Sequence, residues 1–212
     1  GTHPPLHVPS QRVLRDSELK AYGTLFVVSV SVVTLALLSA GAYGGFGETL
    51  RYGSFQVATL MTSTGFATAD YVLWPGLAQG ILLLMLFVGG CVGSTSGGIK
   101  MFHVTVLMKA SVRELRRQRH PRAVIIPRFN KKPLQDRTMT AAQGFVFLYM
   151  ALVLVSTIVV ASSNTDLETS LTATLAAIGN IGPGFAGVGP TENFGFFLIT
   201  SRCGSRLLWW PG

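Results

Sequence analysis

Met61-Thr62-Ser63-Thr64-Gly65-Phe66 and Gly179-Asn180-Ile181-Gly182-Pro183-Gly184-Phe185 are the stretches that decide the fold. Each follows an apolar run too short to cross a bilayer, and each is uncharged and rich in glycine or hydroxyl side chains. Main chain of this kind enters lipid depth only where protein buries it or where it borders a water-filled path. Carbonyl oxygens lining an ion path give both stretches a task.

Composition points the same way. The chain has 212 residues, 49% hydrophobic and 12% charged, with a mean hydropathy of +0.46; a soluble domain carries about 25% charged residues. Glycine, at 24 residues, suits helices that pack closely or break inside a membrane. Cys91 and Cys203 are the only cysteines and the four histidines are scattered, so no disulfide framework or zinc spacing can be built. The net charge is +8, and eleven of the 17 Lys and Arg fall between Lys100 and Arg137. The segments assigned to the other side carry Glu48, Asp70, Asp166, Glu168 and Glu192 against a single Arg51. This positive-inside asymmetry orients a multi-pass membrane protein. The run Arg113, Arg116, Arg117, Arg119 and Arg122 reads as a cytoplasmic loop facing anionic membrane lipid, not as a nucleic-acid surface.

Along the chain, residues 1–20 read as a cytoplasmic loop or truncated end, with no signal peptide. Residues 21–42 are an apolar run of 22 residues, about 33 Å as helix and long enough to span. Residues 52–62 give a half-helix of 11 residues, about 16 Å. Tyr71 and Trp74 then suit an interfacial aromatic belt. Residues 77–112 read as one crossing interrupted at 89–98, where five glycines and three hydroxyl residues in ten positions do not sustain a regular helix. A basic loop covers 113–140, residues 141–161 span again, and 169–178 form a second half-helix before the second glycine-bearing segment. The order of long span, half-helix and glycine loop therefore occurs twice. Ala-Thr-Leu recurs in both half-helices, at 58–60 and 173–175, although the glycine follows at unequal distances. This is a diverged internal repeat. The tail, 195–212, matches nothing in the pattern and reads as a cut or non-native end.

Inward-turned carbonyls replace the hydration shell of a potassium ion without adding charge, and glycine supplies the dihedrals that turn them at least cost. A half-helix aimed at the loop brings the negative end of its dipole to the cation. Thr62, Ser63, Thr64, Gly65 and Phe66, with Asn180, Ile181, Gly182 and Pro183, are the candidate filter residues and the site for K⁺. The acidic residues at the mouth would concentrate cations. Either loop alone is an ordinary surface turn; its place after a half-helix and its recurrence favour the filter. The segment 89–98 is a hinge or a constriction. It lacks the Gly-Lys-Ser/Thr order of a phosphate-binding loop, and Lys100 beside it could simply snorkel to the interface. Nothing resembles a catalytic constellation, so no enzyme and no cofactor besides the transported ion is expected.

Three motifs carry a family resemblance: residues 62–71, residues 89–100 and residues 179–194. They resemble the TrkH membrane subunits of the Trk/Ktr/HKT superfamily of potassium transporters, over about residues 12–194. The resemblance implies an all-α integral membrane fold of membrane–pore-loop–membrane repeats with re-entrant half-helices and a broken second helix. Residues 21–112 would be the third repeat and 141–194 an incomplete fourth. It implies that Gly89, Gly90, Gly93, Ser94, Thr95, Ser96, Gly97, Gly98 and Lys100 belong to an intramembrane gate loop beneath the filter. It further implies a homodimer, a cytosolic TrkA-type nucleotide-binding regulatory subunit, a bacterial inner membrane, and potassium uptake, passive or by symport. Two alternatives stand beside this reading. One is a truncated, non-conducting fragment that at most associates through its helices. The other is a secondary transporter for a small organic substrate, for which 89–98 supplies no ionisable or aromatic group.

Overall fold

The computed structural model describes residues 17–91, 94, 96–119, 128–129, 132–163 and 165–191. The tail at 195–212, the first sixteen residues, Glu192, Arg122 and the gate-loop residues Gly93 and Thr95 lie outside the described residues.

Helix α1, Ser17–Ser39, and helix α5, Asp136–Ala161, have 23 and 26 residues, about 35 and 39 Å. Both are long and apolar enough to cross a membrane. Only 28% of the apolar stretch of α1 and 17% of that of α5 are buried within the chain, whereas the core helix of a soluble protein is buried along most of its length. The exposed positions are large and apolar: Val27 at 61%, Leu35 at 65%, Phe147 at 73% and Ile158 at 69%. Two helices presenting such faces to the outside belong in lipid.

Each long helix is followed by a shorter one folded back against it: α2, Phe46–Met61, on α1, and α6, Leu167–Gly179, on α5. Helix α2 begins six residues before the half-helix expected from Tyr52. Gly47, Glu48, Thr49 and Arg51 break the apolar pattern that marked its start, and Gly45 in extended conformation begins the helix. At 16 residues, or about 24 Å, it still falls short of the hydrocarbon layer. Close approach of α1 and α2 rests on Gly53, where a Cβ would lie 3.4 Å from Thr34 Oγ1 and from Val33 Cγ1. Small residues let helices meet where lipid removes the hydrophobic drive for association.

The interrupted crossing is α3, Gly76–Phe87, and α4, Met101–Arg119. Helix α3 packs on α1, α2 and α6, and α4 on α1 and α5. The core they enclose centres on Leu37, Val57, Leu60, Met61, Leu82 and Leu175, none of which is exposed. The basic segment is more ordered than a loop: α4 runs through it to Arg119, a two-residue hairpin pairs β1, Arg128–Phe129, with β2, Lys132–Pro133, and α5 starts at Asp136. Arg113 of α4 meets Asp136 of α5 at 2.6 Å.

Tyr71 and Trp74 do not form an interfacial belt. Tyr71 is fully buried and Trp74 is 6% exposed, because their polar tips have partners inside the chain. Trp74 Nε1 donates to the Tyr43 hydroxyl at 3.1 Å, and the Tyr71 hydroxyl donates to the Gly184 carbonyl at 2.8 Å.

Candidate functional site

Both short helices end in the same way. At the end of α2, Ser63 N–H donates to the Leu60 carbonyl at 3.2 Å and Thr64 N–H to the Thr59 carbonyl at 2.9 Å. At the end of α6, Asn180 N–H donates to the Ala177 carbonyl at 3.2 Å and Ile181 N–H to the Ala176 carbonyl at 2.9 Å. These are paired Schellman turns. Their left-handed residues are Ser63, φ 55°, and Asn180, φ 52°, and two residues later a glycine again takes positive φ, Gly65 at 76° and Gly182 at 111°. The structural repeat therefore aligns Ser63 with Asn180 and Gly65 with Gly182. It does not align the two Ala-Thr-Leu tripeptides, whose recurrence has no counterpart in the backbone.

The loops adjoin. A Cβ on Gly65 would overlap the Ile181 carbonyl oxygen and lie 3.3 Å from Pro183 Cδ, so glycine is required here by both conformation and space. Among the described residues, no hydrogen-bond donor reaches the carbonyls of Thr62, Ser63, Thr64, Gly65, Asn180, Ile181 or Gly182. The hydroxyls of Thr62 and Thr64 instead turn back on the loop, bonding each other and the Ala58 and Thr59 carbonyls. Thr62, Thr64, Phe66, Asn180 and Gly182 are exposed, while Ile181 is buried. Neither helix has a basic residue in its last turn, so the partial negative charge at both carboxyl ends is left for a cation.

The second loop is braced from behind. The Tyr71 hydroxyl holds the Gly184 carbonyl, the Tyr71 and Phe185 rings meet edge to face at 5.0 Å, and Thr172 Oγ1 donates to the Phe185 carbonyl at 3.2 Å. Gly187 N–H donates to Thr169 Oγ1. Two of the mouth carboxylates have structural work as well. Asp70 accepts from Val72 N–H at 3.1 Å and caps the short 3₁₀ turn Tyr71–Leu73. Asp166 caps α6 by accepting from Thr169 N–H at 3.0 Å, and the backbone and hydroxyl donors of Thr169 hold its carboxyl below the usual carboxylate range.

Between α3 and α4 the chain closes a narrow-necked loop. Gly89 N–H donates to the Ile99 carbonyl at 2.9 Å and Ile99 N–H to the Phe87 carbonyl at 3.0 Å, a one-rung parallel bridge between Val88 and Ile99. Gly90 N–H donates to Ser96 Oγ at 2.7 Å. The loop reaches the start of the second glycine-bearing segment, where Gly97 N–H donates to the Gly179 carbonyl at 3.1 Å. Gly97 has no room for a side chain, since a Cβ would overlap the Ile178 carbonyl oxygen and lie 2.8 Å from the Gly179 carbonyl carbon. Lys100 does not snorkel. Its ammonium donates to the Ser94 carbonyl at 2.6 Å, the Ser96 carbonyl at 2.9 Å and Ser94 Oγ at 3.3 Å. Thus Gly89, Gly90, Ser94, Ser96, Gly97, Gly98 and Lys100 are brought together in one loop, and Gly97 meets the end of α6.

The roles missed by sequence reasoning are those of Tyr71, which closes the motif 62–71 but reads as an interfacial residue, and of Thr172, which carries no motif; both brace the second loop. A tyrosine shortly after a glycine loop is a weak signal, and its partner lies 113 residues away.

Comparison with known proteins agrees with the motifs. The family model of TrkH, described as a cation transport protein, matches residues 21–197. The potassium uptake protein TrkH of the Trk system in Salmonella typhimurium is 32% identical over 180 residues, covering 85% of this chain and 37% of that protein. TrkG of the Trk system in Escherichia coli is 31% identical over 191 residues, covering 90% and 39%. The crystal structure of the potassium transporter TrkH from Vibrio parahaemolyticus superposes with a TM-score of 0.79 at 31% identity, over 86% of this chain and 38% of that one. The chain spans less than two-fifths of the length of these relatives. With a family match along most of its residues and the same helical membrane fold, it belongs to the TrkH family of cation transport proteins.

Proposed function

We propose that this chain contributes two of the carbonyl segments of a potassium-selective pore in a Trk-type uptake system. The observation that carries the reading is the pair of adjoining loops whose main-chain oxygens meet no donor among the described residues. Backbone oxygens without partners at membrane depth are costly, and a dehydrated monovalent cation supplies what they lack. The names of the relatives, potassium uptake proteins of Trk systems, supply the ion. Thr62 to Phe66 and Asn180 to Pro183 would ligate K⁺ in single file, with the 89–98 loop gating below. By itself the chain offers two loops, and two do not surround an ion, so conduction is proposed for the complete protein. A homodimer, a TrkA-type regulatory partner and a bacterial inner membrane with the basic 113–140 segment inside complete the proposal.

The test is rubidium uptake by potassium-uptake-deficient cells carrying the complete protein. Gly65→Ala with Gly182→Ala should abolish uptake or its selectivity at normal expression in the membrane. Unchanged flux and selectivity would rule the filter role out.

A further inference from the structure

Tyr71 belongs to the segment that leaves the first loop, yet its hydroxyl reaches the second, at the Gly184 carbonyl 2.8 Å away. The donor is itself well held. Tyr71 is fully buried, its ring meets Phe185 edge to face, and its carbonyl accepts from Trp74 N–H at 3.2 Å. Gly184 is equally confined. Its N–H donates to the Val188 carbonyl at 2.7 Å, and an added Cβ would lie 2.7 Å from Val188 Cγ2 and 3.1 Å from Thr172 Oγ1. Gly182 and Pro183, just upstream, make no such bonds. Gly182 N–H meets no acceptor among the described residues, and Pro183 has no N–H to give. This part of the loop therefore hangs between two hydrogen-bonded anchors. One is Ile181 N–H on the Ala176 carbonyl at 2.9 Å; the other is Gly184 on Tyr71. The alignment that pairs Ser63 with Asn180 pairs Tyr71 with Val188, which has no hydroxyl. The latch runs one way, from the first unit to the loop of the second.

We propose that Tyr71 is a positioning residue for ion selectivity, setting from the first unit the direction of the Ile181 and Gly182 carbonyls in the second. A buried carbonyl left without its donor is costly, so without the hydroxyl Gly184 turns toward another partner and carries Gly182 with it. Discrimination between potassium and sodium depends on how many carbonyls surround the ion and how far they move inward. A loop with one anchor lost closes on the smaller ion as well. The selectivity half of this inference rests on the proposed pore; the latch does not.

The experiment reads both. The complete protein is reconstituted in vesicles for rubidium and sodium uptake, and hydrogen exchange of residues 180–189 is followed in detergent. Tyr71→Phe keeps the ring and removes the hydroxyl. It should speed exchange in that segment and lower the rubidium-to-sodium uptake ratio about tenfold. Trp74→Phe removes another buried donor of the same turn, one that reaches Tyr43 and not the loop. It should lower the unfolding temperature and leave the ratio at the parent's value. Unchanged exchange or an unchanged ratio in Tyr71→Phe, or an equal fall in Trp74→Phe, would overturn the proposal. Gly65→Ala with Gly182→Ala separates the two ways of failing. If that pair alone loses selectivity, the pore stands and the role of Tyr71 falls; if it too keeps the parent ratio, the pore reading falls as well. Should Tyr71→Phe fail to reach the membrane, an ester replaces the Gly184–Phe185 amide, weakening the acceptor with every side chain in place. The ratio should then fall about threefold, and parity with the parent would overturn the proposal.

Discussion

Gly65 is the residue on which most depends. Its φ of 76° lies where a Cβ is strained, and that Cβ would strike a main-chain oxygen of the neighbouring loop. Gly182 differs, since its φ is positive but nothing lies within 4 Å of an added Cβ. Gly65→Ala should therefore destabilise by about 3 kcal/mol and Gly182→Ala by about 1 kcal/mol, read as thermal unfolding of the detergent-solubilised complete protein. Equal effects would show that the loops do not adjoin as described. Tyr71→Phe removes the buried donor to the Gly184 carbonyl and should cost about 1–2 kcal/mol while leaving helix content unchanged by circular dichroism. At this scale the glycines were legible in the sequence because only glycine explains their pattern. Lys100 and Tyr71 were not: their partners come from folding, and a lysine beside a membrane segment or a tyrosine near its edge has a simpler solvent-facing explanation.

The helices were legible in number and order because their apolar runs are long, and less so at their ends. Phe46 and Leu50 interleave with glycine and charge, so the start of α2 was hidden. The repeat was visible as an alternation of long and short helices, but its register was not. That register is set by two Schellman turns, whose left-handed residues are a serine and an asparagine with no shared identity. Asp166 tests the second element directly. With its carboxyl held below the usual range by Thr169, the cap contributes stability that is fully present above the unfolded-state pKa of about 4. That contribution fades as pH falls through the lower folded value. Asp166→Asn should lower the unfolding temperature at pH 7 and abolish this part of the acid dependence; an unchanged pH profile would remove the cap from the description of α6.

At the scale of the molecule, the lipid-facing and protein-facing surfaces are separated along α1 and α5. Leu148, near the middle of α5 and 67% exposed, should be intolerant of charge. Leu148→Lys should disfavour insertion by about 3 kcal/mol in a translocon assay, whereas Leu148→Phe should insert like the parent. Thr62, Thr64, Asn180 and Gly182 of the two loops are exposed, and under the proposed pore further carbonyl segments of the complete protein would join them. Fold class could be read from the chain because too-short helices followed by uncharged glycine loops leave few alternatives in lipid. The contact between the loops could not, since Gly65 and Ile181 lie far apart in sequence and are brought together by folding, with α3 packed on both α2 and α6. The decisive measurement is anomalous diffraction from rubidium-soaked crystals of the complete protein. Rubidium density should lie on one axis flanked by the carbonyls of Thr62, Ser63 and Thr64 on one side and Asn180 and Gly182 on the other. Density confined elsewhere, with these oxygens turned away from any ion, would contradict the claim that the two loops share an ion path.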